Sequence, residues 1–183
     1  MGQPTVKQTL DSLLSKKERK VFASLSTPKK IQDFLATIPP NHEEEGQTLR
    51  SPRYVLEHNK AHCIEGALLG AAILWYHGYE PYILDLKAAT TDVDHVVTLF
   101  KKDGYWGALS KTDHAVLRYR EPVYKTIREL ALSYFHEYFT NDGKKTLRSF
   151  SRPFSLRRYG TKWITSTEAL YDIGADLDDS PHV

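Results

Sequence analysis

An α+β fold is predicted, and three observations predict it. Apolar residues recur with a helical period from the N-terminal end through Trp75. Beyond Gly78 the period becomes that of strands, with β-branched and aromatic residues in short runs. The chain has 183 residues, 40% apolar and 26% charged, enough to build one core in a single domain spanning 1–183.

The N-terminal part, 1–50, reads as helical. Val6, Leu10, Leu13, Leu14, Val21, Phe22 and Leu25 predict one amphipathic helix. Its KKERK run is the solvated outer face. Thr27 and Pro28 are the N-cap and first residue of a second helix, with Ile31, Phe34, Leu35 and Ile38 facing inward. Pro39-Pro40 ends it, and the polar stretch 41–50 is a loop.

The core, 51–112, opens with a short helical piece from Ser51-Pro52 that carries Tyr54, Val55 and Leu56. HCIEGALLGAAILWYHG, residues 62–78, then reads as a buried helix that Gly78 ends. Asn59 is its expected N-cap, which places Cys63 in or near the first turn. EPYILDLK, DHVVTLF and YWGALSK are three strands. A KKDG connection joins the second and third as a hairpin. With four loop residues, Phe100 pairs with Tyr105 and His95 lies opposite Ser110. With Asp103-Gly104 alone as the turn, His95 lies opposite Thr112. Alternation with period two puts His95 and Ser110 on one face in either register.

Pro122 is expected to open a long helix within 121–140, with Val123, Ile127, Leu130, Tyr134 and Tyr138 on one stripe. Asn141-Asp142-Gly143 ends it. The remainder, 144–183, divides into an irregular basic loop, 144–162, and TEALYDIGADLDD, a short acidic helix or tail.

Several functional classes are bounded by composition. Net charge is +2, so no global field directs the chain to nucleic acid. In 144–162 the basic residues are expected to pair with acids of the same chain. Phosphate or nucleic-acid contact is the sharper alternative, kept open by Phe150, Phe154 and Tyr159. No apolar run reaches the roughly 18–20 residues of a membrane span, and no signal peptide is read. Gly2 does not open a myristoylation motif, because Val6 stands where a small hydroxyl is needed. A single cysteine suits the reducing cytoplasm. The cluster His58, His62, Cys63 and His77 has borderline metal-ligand types but lacks ligand spacing, so neither metal nor cofactor is expected.

Cys63 is the residue with the sharpest chemistry. A helix N-terminus stabilises an anion and lowers a thiol pKa from roughly 8.5 toward about 3.5–7.5. The plainer reading is a small buried hydrophobe. The order decides in favour of chemistry: a cysteine at a helix start, a histidine opening a later strand, a polar residue on the next.

That order, over about residues 52–112, resembles the transglutaminase-like superfamily, a circularly permuted relative of the papain fold. Tyr54-Val55-Leu56 matches its short helix before the cysteine. Cys63 leads an Ala/Gly/Leu-rich helix ending in HGYEP, His95 opens HVVTLF, and DGYWGALSKT matches the segment that carries the third residue. The resemblance implies a papain-like core, a Cys-bearing helix packed on an antiparallel sheet with flanking helices at both ends. Counted from Trp106, the family's Asp falls on Ser110. Cys63, His95 and Ser110 are therefore the expected catalytic residues. Serine accepts a hydrogen bond from an imidazole but supplies no charge. Asp85 and Asp94 are weak substitutes, and Asp113 is expected to face away. The implied activity is that of a cysteine hydrolase or acyl transferase acting on amide bonds in peptides or proteins. The alternative is a catalytically impaired fold that binds peptide or protein.

Overall fold

Capping residues, rather than apolar spacing, divide the N-terminal stripe. The computed structural model describes residues 4–44 and 46–183; Gly2 and Glu45 lie outside the described residues. The single helix expected from Val6 to Leu25 is two, α1 (Val6–Leu13) and α2 (Lys16–Ser24). Ser15 breaks it: its side chain accepts the Glu18 N–H, and Glu18 accepts the Ser15 N–H at 2.6 Å, a capping box that starts a new helix. The apolar period carries across the break because both helices bury the same side. α3 (Pro28–Thr37) begins on Thr27 and stops before the two prolines, as expected.

α4 (Pro52–His58) is capped by Ser51 and ends at Asn59, which is left-handed at φ 51°. Asn59 therefore closes α4 instead of opening the next helix, which corrects the expected N-cap. α5 (Cys63–Tyr76) starts from His62, whose backbone N–H is bonded by Glu65 at 3.1 Å. Cys63 is thus its first residue.

The sheet follows as β1 (Tyr82–Ala88), β2 (His95–Lys102), β3 (Tyr105–Leu109), β4 (Arg120–Tyr124), β5 (Leu147–Phe150) and β6 (Phe154–Ser155). Its order is β4-β3-β2-β1-β5, with β6 also on β1 and every pairing antiparallel. Lys102 pairs with Tyr105, so Asp103 and Gly104, both at positive φ, make the two-residue turn. The four-residue loop is excluded.

Two expectations fail after Thr112. Pro122 does not open a helix; it lies in β4, an edge strand where a residue without an N–H is tolerated. The helix begins later, as α6 (Ile127–Phe135), on a Thr126–Glu129 capping box. The stretch 144–162 is not simply irregular either, since it supplies β5 and β6 to β1. Three of its basic groups pair with acids of the chain: Arg157 with Glu80 at 2.7 Å, Arg158 with Asp176 at 3.3 Å, Lys144 with Asp142 at 2.7 Å. The acidic segment contains α7 (Tyr171–Asp178).

Both faces of the sheet are covered. Ile83, Val96, Phe100 and Leu109 pack with α1–α5. Leu84, Leu86, Val97, Leu99 and Ala108 pack with Leu130, Ala131 and Tyr134 of α6. This alternation buries Ile83–Leu86 of β1 and His95–Phe100 of β2 on both faces and hides the amphipathic signal a one-sided strand would give. Small residues let α5 lie close to the sheet. A Cβ on Gly66 would fall 2.2 Å from Lys111 Cβ, and one on Gly70 would fall 2.7 Å from Thr98 Oγ1. Thr98 Oγ1 donates to the Ala67 carbonyl at 2.7 Å, which stitches helix to sheet.

Candidate active site

The N-terminus of α5 meets the start of β2 and the end of β3. Cys63 is half-buried and is the first residue of its helix, so its N–H has no intrahelical partner. His95 opens β2 and is 7% exposed. Its Nε2 lies 2.6 Å from Ser110 Oγ. His95 and Ser110 share a sheet face by alternation, and β3 pairing stops at Leu109, which frees Ser110 to lean toward the ring.

Ser110 is held from a third element. Gln32 of α3, itself buried, accepts the Ser110 N–H at 2.9 Å and donates to the Ser110 carbonyl at 2.9 Å. One side-chain amide thereby replaces the strand pairing that β3 has lost. With Nε2 turned to the Ser110 hydroxyl, the ring has Nδ1 left to exchange a proton.

The thiol is acidic. Burial pushes Cys63 up, but hydrogen bonds to His62 and His95, the charge of His95 and the Val96 N–H outweigh it and hold the thiol at about 5. Burial likewise pushes His62 down, but its bond to Cys63, the nearby Glu65 carboxylate and the Thr48 carbonyl raise it to about 9. At neutral pH these two neighbours form a thiolate–imidazolium pair. His62 Nε2 donates to the Thr48 carbonyl at 2.8 Å and has Glu43 and Glu65 carboxylates each at 3.5 Å.

Glu65 anchors this arrangement from a fully buried position. It accepts from Thr48 Oγ1 at 2.9 Å, Arg50 N–H at 3.0 Å, Asn41 Nδ2 at 3.1 Å and the His62 N–H. Sequence reasoning weighed His62 only as a metal ligand, set that aside, and passed over Glu65. The available signal was the His62-to-Glu65 spacing of a capping box, which also marks the true N-cap.

The other acidic residues weighed as partners for His95 are occupied elsewhere. Asp85 lies 3.0 Å from His182 Nε2, and burial pushes its carboxyl up. Asp94 accepts the Ala88 N–H at 2.7 Å. Asp113 is exposed and lies 3.5 Å from Lys111. His58, His62 and His77 do not converge: each turns a ring nitrogen to a different backbone carbonyl, of Tyr54, Thr48 and Phe22. Among the described residues, no group of three His, Cys, Asp or Glu is placed to hold a metal ion. Nor is any helix among them long and apolar enough to cross a membrane.

Cys63, His62 and His95 line one open cavity of about 690 Å³. Its floor is the sheet end; its walls are Pro40–His42, Lys111–His114 and Tyr138–Asp142. An acidic thiol, a buried imidazole and an open groove together suit attack on a carbonyl carbon.

No protein-family model matches the chain, and no curated protein matches it. Among solved structures, it is similar to Legionella pneumophila LapG at 17% identity and a TM-score of 0.41, over 62% of this chain and 76% of that one.

Proposed function

We propose that this chain is a cysteine-dependent hydrolase or acyl transferase acting on amide bonds of peptides or proteins in the cytoplasm, built on a papain-like, transglutaminase-like core. The observation that carries the reading is that Cys63, the first residue of α5, shares one open cavity with His95, whose ring is held by Ser110. Cys63 attacks the carbonyl as thiolate, forming the S–C bond as the carbonyl π electrons move to oxygen. The oxyanion is held by the free Cys63 N–H and faces the His62 imidazolium. His95, which has taken the proton given up by the Cys63 thiol, passes it to the leaving amine as the C–N bond breaks, leaving an acyl-enzyme thioester. Water or an amine then attacks the thioester, losing a proton to His95. Ser110 orients the ring through Nε2 and adds no charge; that is weaker support than a carboxylate but comparable in kind to a neutral amide in this position.

Amide turnover by a peptide library, read in parallel with iodoacetamide alkylation of Cys63, tests this. We expect fast alkylation at neutral pH, cleavage or transfer of at least one peptide, and loss of both in His95→Ala. Slow alkylation like that of a free thiol, unchanged in His95→Ala, rejects the mechanism. The neutral Ser110 favours one second reading, a peptide-binding module that has lost turnover. Peptides retained in the cavity without any cleavage would identify it.

A further inference from the structure

Lys111 is the residue the chemistry above leaves unused. It follows Ser110 and lines the cavity that contains Cys63. Its side chain is 5% exposed, which is rare for lysine without a strong partner. Its one ion pair among the described residues is to Asp113 at 3.5 Å, and Asp113 is 62% exposed. That contact is longer than the ~2.7–2.9 Å of a charge-assisted hydrogen bond. An anion so exposed is also heavily screened by water. The aliphatic stem is fixed instead by packing: Lys111 Cβ rests against Gly66, one turn into the helix that Cys63 begins. Any side chain at 66 would displace it.

We propose that Lys111 forms an anion subsite beside Cys63, which takes a carboxylate carried by the acyl substrate close to the attacked carbonyl. This deepens the cysteine-acyl-transfer reading and rests on it. The Lys111 stem is buried while the residue lines the open cavity, so a carboxylate that meets its ammonium there is less screened than at a fully exposed lysine. The same cavity is edged by Asp92, Asp94, Asp113 and Asp142. Those carboxylates oppose a phosphate dianion or a nucleic-acid backbone more strongly than a singly charged carboxylate.

A matched pair of thiol reagents tests the subsite without a known substrate. Iodoacetate and iodoacetamide both alkylate Cys63 by displacing iodide, and they differ by a carboxylate against a neutral amide. The ratio of their second-order rates cancels changes in thiol nucleophilicity. That ratio is expected to fall about threefold to fivefold in Lys111→Met, the size of one screened charge contact, and to be retained in Lys111→Arg. N-ethylmaleimide paired with maleimidopropionate gives the same comparison at longer reach, and Lys111→Gln replaces Lys111→Met if the latter fails to fold. Ratios equal to the parent's in both neutral variants and with both pairs would overturn the subsite. Slow alkylation by every reagent would instead reject the activated thiol, while the ratio would still report on Lys111.

Discussion

Cys63 is acidic because three groups from different places converge on it: the imidazole before it in sequence, the imidazole of β2, and the Val96 N–H. The sign of the pH dependence follows. Alkylation should rise as pH passes about 5 and be flat through neutrality, where a free thiol near 8.5 is only a few per cent ionised. Removing a cation destabilises the thiolate, so His62→Gln should move the inflection upward; a stopped-flow alkylation profile reads both. Ser110→Ala unlocks the His95 ring, and amide turnover should fall by on the order of 10² while the fold persists. At this scale the sequence was informative where period and order suffice. Alternation alone put His95 and Ser110 on one face. His62 was only partly legible: Cys63 and Glu65, which raise it most, are its sequence neighbours, but the Thr48 carbonyl that holds its ring comes from a loop whose path no local pattern specifies.

Among the elements, Gln32 of α3 replaces a missing strand neighbour for Ser110. Gln32→Leu leaves a buried N–H and carbonyl unpaired and should cost about 2–4 kcal/mol in urea unfolding. It should also loosen His95. Gly70→Ala overpacks the contact with Thr98 and should cost about 1–3 kcal/mol by the same measurement. Helix caps were the main source of boundary errors. Ser15 and Glu18, and His62 and Glu65, are capping pairs visible in the sequence, yet apolar spacing ran across the first and Asn59 competed with the second. Pro122 misled for a different reason. The same residue that suits a helix start also suits an edge strand, and strand order is a long-range property.

For the molecule as a whole, the sheet lies between a helical layer formed mostly before it in sequence and a thinner one, α6, inserted between β4 and β5. The α+β class was legible because the helical period gives way to that of strands at Gly78 and returns after Thr112. The addition of β5 and β6 to β1 was not, since their runs are too short to show alternation. Folding also sets the protonation of the Cys63–His62 pair. Cys63 is lowered to about 5, so its contribution is lost as pH falls toward that value; His62 is raised to about 9, so its contribution is lost as pH rises through it. With ordinary values near 6.5 for His and 8.5 for Cys, the pair's joint contribution is at its maximum between about 6.5 and 8.5. Melting temperatures of the parent minus those of Cys63→Ser isolate the cysteine's part and should climb from pH 5 past neutrality.

The Gln32 amide and the Ser110 backbone it grips are 78 positions apart, while Tyr171 reaches the Gln47 carbonyl across 124. Closures of that span are slow, because the entropy of a long loop is spent before the contact rewards it. A nascent chain that has just exposed Cys63 at the ribosome accordingly carries an ordinary sulfhydryl. Its reactivity switches on when synthesis has passed β3 and the distant segments have docked, so the rate of labelling in a pulse experiment times the last step of assembly.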